Sequence, residues 1–588
     1  MKYIAFWQNL SPWARVMGGF LSSSFLLLML TLFGGMYTLP ILLSLLPLAL
    51  SIGSALIHLF LKRDWLRIGI ITILTLGAWY NLTGEIPSIF TGRDQGSIAE
   101  ATWQLAHHHQ LTWTNASIQA FFTIYGPGTA LNFPGFAYTD SGSLITQFPL
   151  GYTAWLAGFV EWLGLAGYHV ANGLLFLLTG WTFFELLRVF VRRTLAFIGT
   201  LIVSFSFLPI WMLHSTLTEN MAIVLFTALA YALIQLRQHP HERLWYIISI
   251  SAASLFLFVR IEGFLFFGIT VLLIACTKTL RTFLWEHPWK RVFLPLLFLG
   301  FLFLRDFFIN LPFYKMIGKA VLKNWQELIV TATGGALSPT STTTENLFRI
   351  FTSYGLILFF LVGSVGIILT LWRGHRLALL VFLLALPTFI YLIDGHITPD
   401  HPWMLRRYFF TLWPTFVFFS ILAWHMAEKN FEYIRRPQTT LFIFLFVFLV
   451  QYPSLQAAWK TDEYTALYTA TQSVADRVSG DDLLLVNRLA SGDPFRLVAG
   501  PLAFVFEKQA VYFFNPEDLD RLPAKNNFRR VLLLVPEETK ELIQNTWGAR
   551  LIEKAVFTFP QSTTTAQQTL SPQITKNTTR ADLFEKKF

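Results

Sequence analysis

Apolar runs of about 17–25 residues, separated by short charged islands, fill most of the first 455 residues. A run of that length crosses a hydrocarbon core only as a helix, because each backbone N–H and C=O must find a partner inside the segment. The chain therefore reads as an all-α polytopic membrane protein. Composition agrees: 13% of the 588 residues are charged and 54% are hydrophobic, against about 25% charged in a soluble domain.

The runs stand at Met17–Gly34, Leu39–Leu61, Leu66–Leu82, Leu150–Ala166, Val170–Phe190, Leu195–Leu213 and Met221–Leu236. They continue at Leu244–Phe258, Phe264–Cys276, Val292–Leu304, Ile350–Leu371, Leu377–Ile393, Phe409–Trp424 and Leu441–Leu455. If all of them crossed, Lys62, Arg63 and Arg67 would face the side opposite Arg192 and Arg193, although short basic loops belong together in the cytoplasm. Reading Leu150–Ala166 as a helix on the outer surface restores sidedness, and Glu161 with Gly158, Gly164 and Gly167 suits that position. About 13 transmembrane helices with a cytoplasmic N-terminus are expected. The basic islands Lys62–Arg67, Arg188–Arg193, Arg237–Arg243, Lys278–Arg291, Arg373–Arg376 and Lys429–Arg436 then share one face. The net charge of +10 sits largely in these islands, so it serves orientation and implies no nucleic-acid partner. Cys276, the single cysteine, can form no intrachain disulfide, and Met1–Arg15 lacks the pattern of a cleaved signal peptide.

This topology places 83–148, 305–349, 394–408 and everything from 456 outside. Three units are expected: a transmembrane domain over 1–455, with outer loop 83–148 and an interfacial helix at about 150–166; a small extracytoplasmic α/β domain over 456–560; and a flexible tail over 561–588. In the second unit Ala466–Val478 reads as a helix, and Leu483–Val486, Ala510–Phe514 and Val531–Val535 as short strands. The Ser/Thr/Gln-rich end offers too little apolar content for a core.

The outer loops set ionisable residues beside span ends: Asp94, Glu219, Arg260 with Glu262, Arg305 with Asp306, and His401 with Arg406, Arg407 and the neighbouring Tyr408. Outer arginines run against the usual bias. Each alone is explained by snorkelling to the interface; together they would form a polar pocket. Asp94, just before a helical stretch Ile98–His109, reads as a helix cap or as a general base. His107, His108 and His109 are adjacent on that helix and point in different directions, which suits a solvated helix end better than a metal site.

Four motifs follow one another along the chain. Asp94-Gln95-Gly96 stands in the first large outer loop, and Gln147-Phe148-Pro149-Leu150-Gly151-Tyr152 leads into the surface helix. Thr218-Glu219 opens a span, and Leu405-Arg406-Arg407-Tyr408-Phe409 precedes a late span that contains Pro414. In order and sidedness they resemble the GT-C glycosyltransferases, membrane enzymes that use lipid-phosphate sugars and include the protein mannosyltransferase and aminoarabinose transferase branches. The resemblance implies a GT-C-like fold and inverting transfer from a polyprenyl-phosphate sugar to a glycan, lipid or protein acceptor on the extracytoplasmic face of a cell or inner membrane. Membrane lipids would surround the spans. Asp94 would be the base, and Arg406, Arg407 and Arg260 would bind the donor phosphate. Glu219, Glu262, Arg305, Asp306, His401 and Tyr408 would complete the pocket.

The residue types fit that chemistry. An attacking hydroxyl must lose a proton, which a carboxylate can take, and a leaving phosphate suits the planar fork of arginine. Gln95 replaces the second acid that many relatives carry after the aspartate, so metal independence and no cofactor are expected, with Glu219 the one distant candidate ligand. Rival readings are a transporter or lipid flippase, for which neither repeats nor mid-span charges beyond Glu185 are visible, and a surface-polysaccharide ligase or polymerase, which would share the donor.

Overall fold

Ser11 opens the first helix, α1 (Pro12–Phe33): its hydroxyl accepts from the Ala14 N–H, Pro12 sits where no N–H is needed, and Gly34 ends the helix in the left-handed region at φ 70°. The computed structural model describes residues 10–276, 289–319, 322, 344–393, 400–522, 528–547, 551–565 and 571–586. Two helices follow α1: α2 (Thr38–Leu61) and α3 (Trp65–Leu82), the latter capped by the Asp64 carboxylate. The connection to the next long helix carries α4 (Asp94–His108), α5 (Ala116–Tyr125) and a small sheet of β1 (Thr112–Trp113), β2 (Gly128–Thr129), β3 (Phe136–Tyr138) and β4 (Leu144–Thr146), in the order β1-β4-β3-β2.

The helical body continues with α6 (Leu150–Leu163), α7 (Leu165–Arg188), α8 (Arg193–Ser204), α9 (Phe207–Leu213), α10 (Glu219–Gln238), α11 (Arg243–Leu257) and α12 (Gly263–Ala275). After it come α13 (Trp289–Ile309), α14 (Thr344–Ser353), α15 (Ile357–Trp372), α16 (Leu379–Ala385), the short α17 (Arg406–Phe409), α18 (Leu412–Asn430) and α19 (Pro437–Lys460). Among the described residues six helices are long and apolar enough to cross a membrane, or ten if four bent pairs each count as one span. Three further apolar helices, Arg243–Leu257, Gly263–Ala275 and Leu379–Leu392, are shorter than that. All thirteen runs expected as spans fall on these elements, and length alone supports six to ten crossings. Residues 278–288 of the expected basic island Lys278–Arg291 lie outside the described residues.

The run read as a surface helix, α6, buries ten of its fourteen residues against α1, α4 and α7. Its apolar content is thus used in helix packing, while Glu161 near its end accepts from the exposed Thr38 hydroxyl at 2.6 Å.

Ion pairs tie one end of the bundle together. Arg67 pairs with Glu185 at 2.6 Å, Arg188 approaches the same carboxylate at 3.4 Å, and Arg192 pairs with Glu428. The α2–α3, α7–α8 and α18–α19 connections, each carrying a basic island, therefore meet. Helix alternation sends the C-terminus of α3, the N-terminus of α10, the α11–α12 turn and the N-terminus of α18 to the opposite end. Close backbone approach sets the position of α18. A Cβ on Gly363 would sit 2.6 Å from the Phe416 carbonyl oxygen, and one on Gly366 would overlap the Phe419 carbonyl. Small residues at such contacts are what lets membrane helices pack this tightly.

After α19 the chain forms α20 (Thr465–Ala475), β5 (Leu483–Asn487), α21 (Ala499–Phe504), β6 (Gln509–Phe513), α22 (Asp518–Arg521), β7 (Val531–Pro536), α23 (Glu537–Trp547), β8 (Leu551–Thr565) and β9 (Gln573–Lys586). The sheet order is β6-β5-β7-β9-β8, with β5 parallel to β6 and β7 and the remaining pairs antiparallel. The central strands are continuous apolar runs because both faces are covered. Leu484 and Val486 join the main core, while Leu483 and Leu485 pack in a second core with Ile118, Phe121 and Phe136 of the loop between α3 and α6. That loop and the C-terminal domain are thus one packed layer.

The expectation of a flexible tail over 561–588 is corrected here. Residues 561–565 and 573–586 belong to the β8–β9 hairpin, and β9 pairs with β7 from Val531↔Lys586 to Pro536↔Ala581. Low apolar content misled because a hairpin arm needs backbone pairing more than a core. Threonine suits strands, and Ala581, Leu583 and Phe584 supply the buried contacts. The close α15–α18 contact yields a prediction: Gly366→Leu lowers stability by about 1–3 kcal/mol, the cost of overpacking. Gly268→Ala, which meets open space, leaves the unfolding midpoint in detergent at the wild-type value.

Candidate active site

Six charged side chains from four separate segments interlock at the end of the bundle opposite the basic islands. Arg406 of α17 donates to Asp94, in the first turn of α4, at 2.7 Å and lies 3.7 Å from Glu219 at the start of α10. Arg260, in the α11–α12 turn, reaches Glu219 at 2.7 Å, grips both oxygens of Glu262 at 3.1 and 2.8 Å, and donates to the Thr218 hydroxyl at 3.1 Å. Arg407 approaches Glu262 no closer than 3.8 Å. Tyr391 completes the group by donating its hydroxyl to Glu262. The order is Asp94–Arg406–Glu219–Arg260–Glu262–Arg407, so each internal carboxylate lies between two guanidiniums.

Local sequence explains the placement. Gly96 lets the preceding loop cross the first turn of α4, where a Cβ would overlap the Phe90 carbonyl. The Thr216 hydroxyl donates to the Gln95 carbonyl at 2.7 Å, tying that turn to the approach of α10. Gly151 donates its N–H to the Phe258 carbonyl at 2.6 Å, which brings the Gln147–Tyr152 motif against the segment bearing Arg260. Arg93 is the residue preceding α4, and Asp94 makes its ion pair with Arg406 from the helix's first position.

The arginines differ in how fully they are engaged. Arg260 is buried and bonded by two carboxylates. Arg406 is buried too, yet its Nε–H has no hydrogen-bond partner among the described residues, and the same holds for the Nε–H of Arg407. The Arg407 side chain is 21% exposed and that of Asp94 is 40% exposed. The site thus has a carboxylate open to solvent beside two guanidiniums whose Nε–H groups lack partners among the described residues, over a core of interlocked ion pairs.

Tyr408, also expected in the pocket, is buried and donates its hydroxyl to the Tyr391 carbonyl at 3.0 Å, so it supports the site from behind. Three expected residues stand apart. Arg305 donates to the Leu32 carbonyl at the end of α1 at 3.2 Å. Asp306 is buried with the Tyr314 hydroxyl at 2.6 Å and Asn310 at 2.9 Å. His401 pairs through Nδ1 with the Tyr354 hydroxyl at 3.0 Å. Their nearness to span ends in sequence does not bring them into the charged group. Sequence reasoning missed Tyr391, whose signal was a lone phenol within an apolar run. It also missed Arg93, which pairs with Asp400 and lies 4.4 Å over the Trp403 ring, whose centroid also lies 4.0 Å from Arg406.

No family model matches the chain, and no curated protein matches it in sequence. Among solved structures it is similar to ArnT from Cupriavidus metallidurans bound to undecaprenyl phosphate, with TM-score 0.49 and 13% identity over 88% of this chain and 97% of that one. It is also similar to the Archaeoglobus fulgidus oligosaccharyltransferase in complex with zinc and sulfate, with TM-score 0.46 and 10% identity over 79% of this chain and 67% of that one. The same organism's AglB, in complex with an inhibitory peptide and a dolichol-phosphate, gives TM-score 0.46 and 11% identity over 82% and 70%. Likeness this distant assigns no role to any residue of this chain.

Electrostatics separate the carboxylates. Partial desolvation would raise the part-exposed Asp94 carboxyl, but the charge and hydrogen bond of Arg406, with Arg407 and Arg260 beyond, hold it below the usual range. At Glu262 the same contest, with Arg260 foremost against burial, ends at about 2. A carboxyl depressed on folding stabilises fully above its unfolded value and loses that contribution as pH falls through its folded value. The Glu262 contribution is therefore complete above pH 4.5 and lost between 4.5 and about 2. Glu262→Gln is expected to flatten the fall of the unfolding midpoint across that window. Arg260→Gln, which strips buried Glu219 and Glu262 of their shared partner, is expected to cost about 3–5 kcal/mol at neutral pH.

Proposed function

We propose that this chain is a membrane glycosyltransferase that moves a sugar from a polyprenyl-phosphate donor to an acceptor on the extracytoplasmic face. One observation carries the reading: Arg406 and Arg407, each with an Nε–H that has no partner among the described residues, lie beside the solvent-open carboxylate of Asp94, at the bundle end away from the basic islands. Basic islands mark the cytoplasmic side, so this end faces outward.

A leaving lipid phosphate needs cations at the membrane surface. Arg407, with the weakest carboxylate contact of the three arginines, has the most to offer it, and Arg406 the next. Arg260 acts as the organiser of the group, its donors already engaged by Glu219, Glu262 and Thr218. Apolar helices below would hold the polyprenyl chain. An acceptor hydroxyl attacks the anomeric carbon as the bond to phosphate oxygen breaks. The electron pair leaves with the phosphate, the proton passes to Asp94, and attack from the far side inverts the centre. While paired with Arg406, Asp94 is a weak base. A phosphate that draws Arg406 away removes the cation that depresses the carboxyl, so donor arrival strengthens the base.

Asp94, Glu219 and Glu262 are all engaged by arginines, and a divalent ion would have to displace those contacts. Metal-independent turnover is the corresponding expectation. The acceptor class is a glycan, lipid or protein.

In detergent with a polyprenyl-phosphate monosaccharide, Asp94→Asn is expected to lower transfer by about 10²–10⁴-fold with normal membrane insertion; full activity would remove Asp94 as base. Arg407→Ala is expected to weaken donor use with a rise in donor KM, and chelation with EDTA to leave turnover intact. In a Cys276→Ser background, cysteines at Lys62 and Thr83, both exposed, should react with an impermeant thiol reagent from opposite sides. Labelling from one side would sink the outward assignment.

A further inference from the structure

A cavity of about 220 Å³ lies beside the charged group, between the helical body and the C-terminal domain. Trp403 joins the two: Arg406 lies 4.0 Å from its ring centroid and Arg93 4.4 Å. Contacts therefore run in one direction, from Arg407 through Arg260 and Arg406 to Trp403, Arg93 and this cavity. We infer that the cavity is the acceptor subsite and that it takes a neutral, hydroxyl-rich saccharide unit. The inference rests on the transferase reading above, with the donor phosphate at Arg407 and Arg406.

Three observations support it. First, the walls carry acceptors awaiting donors. Gln95, 5% exposed, donates to the Tyr464 hydroxyl at 3.0 Å, but its Oε1 has no partner among the described residues. Asp400 spends one oxygen on Arg93, and its Oδ1 is likewise buried and unpartnered among them. Leaving buried acceptors unmade is costly, and a hydroxyl-rich ligand in the cavity would supply donors to these oxygens once their side chains turn toward it. Second, both guanidiniums lining the cavity are already paired. Arg93 pairs with Asp400, while Arg496 reaches Glu463 at 2.9 Å and Asp493 at 3.4 Å. Three carboxylates stand against two guanidiniums, which disfavours a phosphorylated or carboxylated group. Burial also lowers the His401 imidazole despite the opposing charge of Asp400, so it adds no cation. Third, size and surface suit a single ring. The volume falls below the roughly 300–1,000 Å³ of pockets for drug-sized ligands, and Trp211 and Tyr464 add aromatic surface beside the polar groups.

The C-terminal domain then has a defined task. Glu463, Tyr464, Asp493, Arg496 and Thr563 all come from it or from the link into it, so acceptor choice is written in the domain that covers the site. Donor handling stays in the helical body.

Saturation-transfer NMR on the full-length protein, without donor and in a detergent lacking a sugar headgroup, tests this with methyl α-hexopyranosides of glucose, galactose and mannose and with hexose 6-phosphates. At least one neutral hexoside is expected to bind saturably and more tightly than its 6-phosphate. Its affinity should fall about tenfold in Gln95→Leu and in Asp400→Asn and vanish in Thr563→Trp, which fills the cavity from the opposite wall. No neutral binding, equal affinity across the folded variants, or preference for the phosphates would overturn the inference. The three variants touch two different walls, so misfolding of one leaves the others to decide. Because no donor is present, hexoside binding by a protein that never transfers would overturn the transferase reading alone. Transfer to a saccharide that is indifferent to Thr563→Trp would overturn the subsite alone.

Discussion

Alternation of charge from Asp94 through Arg406, Glu219, Arg260 and Glu262 to Arg407 is the constraint on which the outward end of this protein depends. Each of these groups would be costly to withdraw from water alone. In sequence, the participants sit far apart, at the starts of α4, α10 and α17 and in the α11–α12 turn. Only when those four segments converge does every internal carboxylate gain two cations and every guanidinium a partner. The helix ends are thereby registered against one another by ion pairs of 2.7 to 3.8 Å, which are more directional than apolar packing between lipid-facing helices.

The same alternation creates an imbalance that chemistry can use. Its centre, Arg260 with Glu219 and Glu262, is closed. Its two ends are more open: Asp94 faces solvent at one, and at the other the nearest carboxylate to Arg407 among the described residues lies 3.8 Å away. A middle of interlocked ion pairs, with a solvent-facing carboxylate at one margin and a loosely held guanidinium at the other, would suit the transfer proposed above, the cation holding the leaving anion and the carboxylate taking the proton. Backbone packing supports it, through Gly96 under the Phe90 carbonyl and through Gly363 and Gly366 against α18. The outer loop and the C-terminal domain share a core around Leu483, Leu485, Ile118 and Phe121, so the cover over the site is built as firmly as its floor.

Much of this was legible in the chain itself. Hydropathy runs placed the thirteen apolar segments on helices, and basic islands such as Lys62–Arg67 and Arg188–Arg193 marked one common end, since both signals are local and additive along the sequence. Asp94, Glu219, Arg260, Glu262, Arg406 and Arg407 stood out for the same reason: charge beside a span end is conspicuous against an apolar background. The strands around Leu484, Val511 and Leu533 announced themselves as short apolar runs between turn residues.

Partnership was not legible. Nothing local distinguishes Arg260, closed off by two carboxylates, from Arg407, or separates Arg305 and Asp306, which bond elsewhere, from the residues that converge. Tyr391 and Arg93 join the site only through contacts with residues far away in sequence. The end of β8 and the whole of β9 read as part of a flexible tail because the stability of β9 comes from pairing with β7 across the domain. Sequence by itself determined that the chain enters a membrane, which segments can cross, and which residues carry charge at their ends, because solvation of a segment depends on its own composition. Tertiary structure decided which charges meet and which donors stay free, because an ion pair is a property of two positions and of the distance between them.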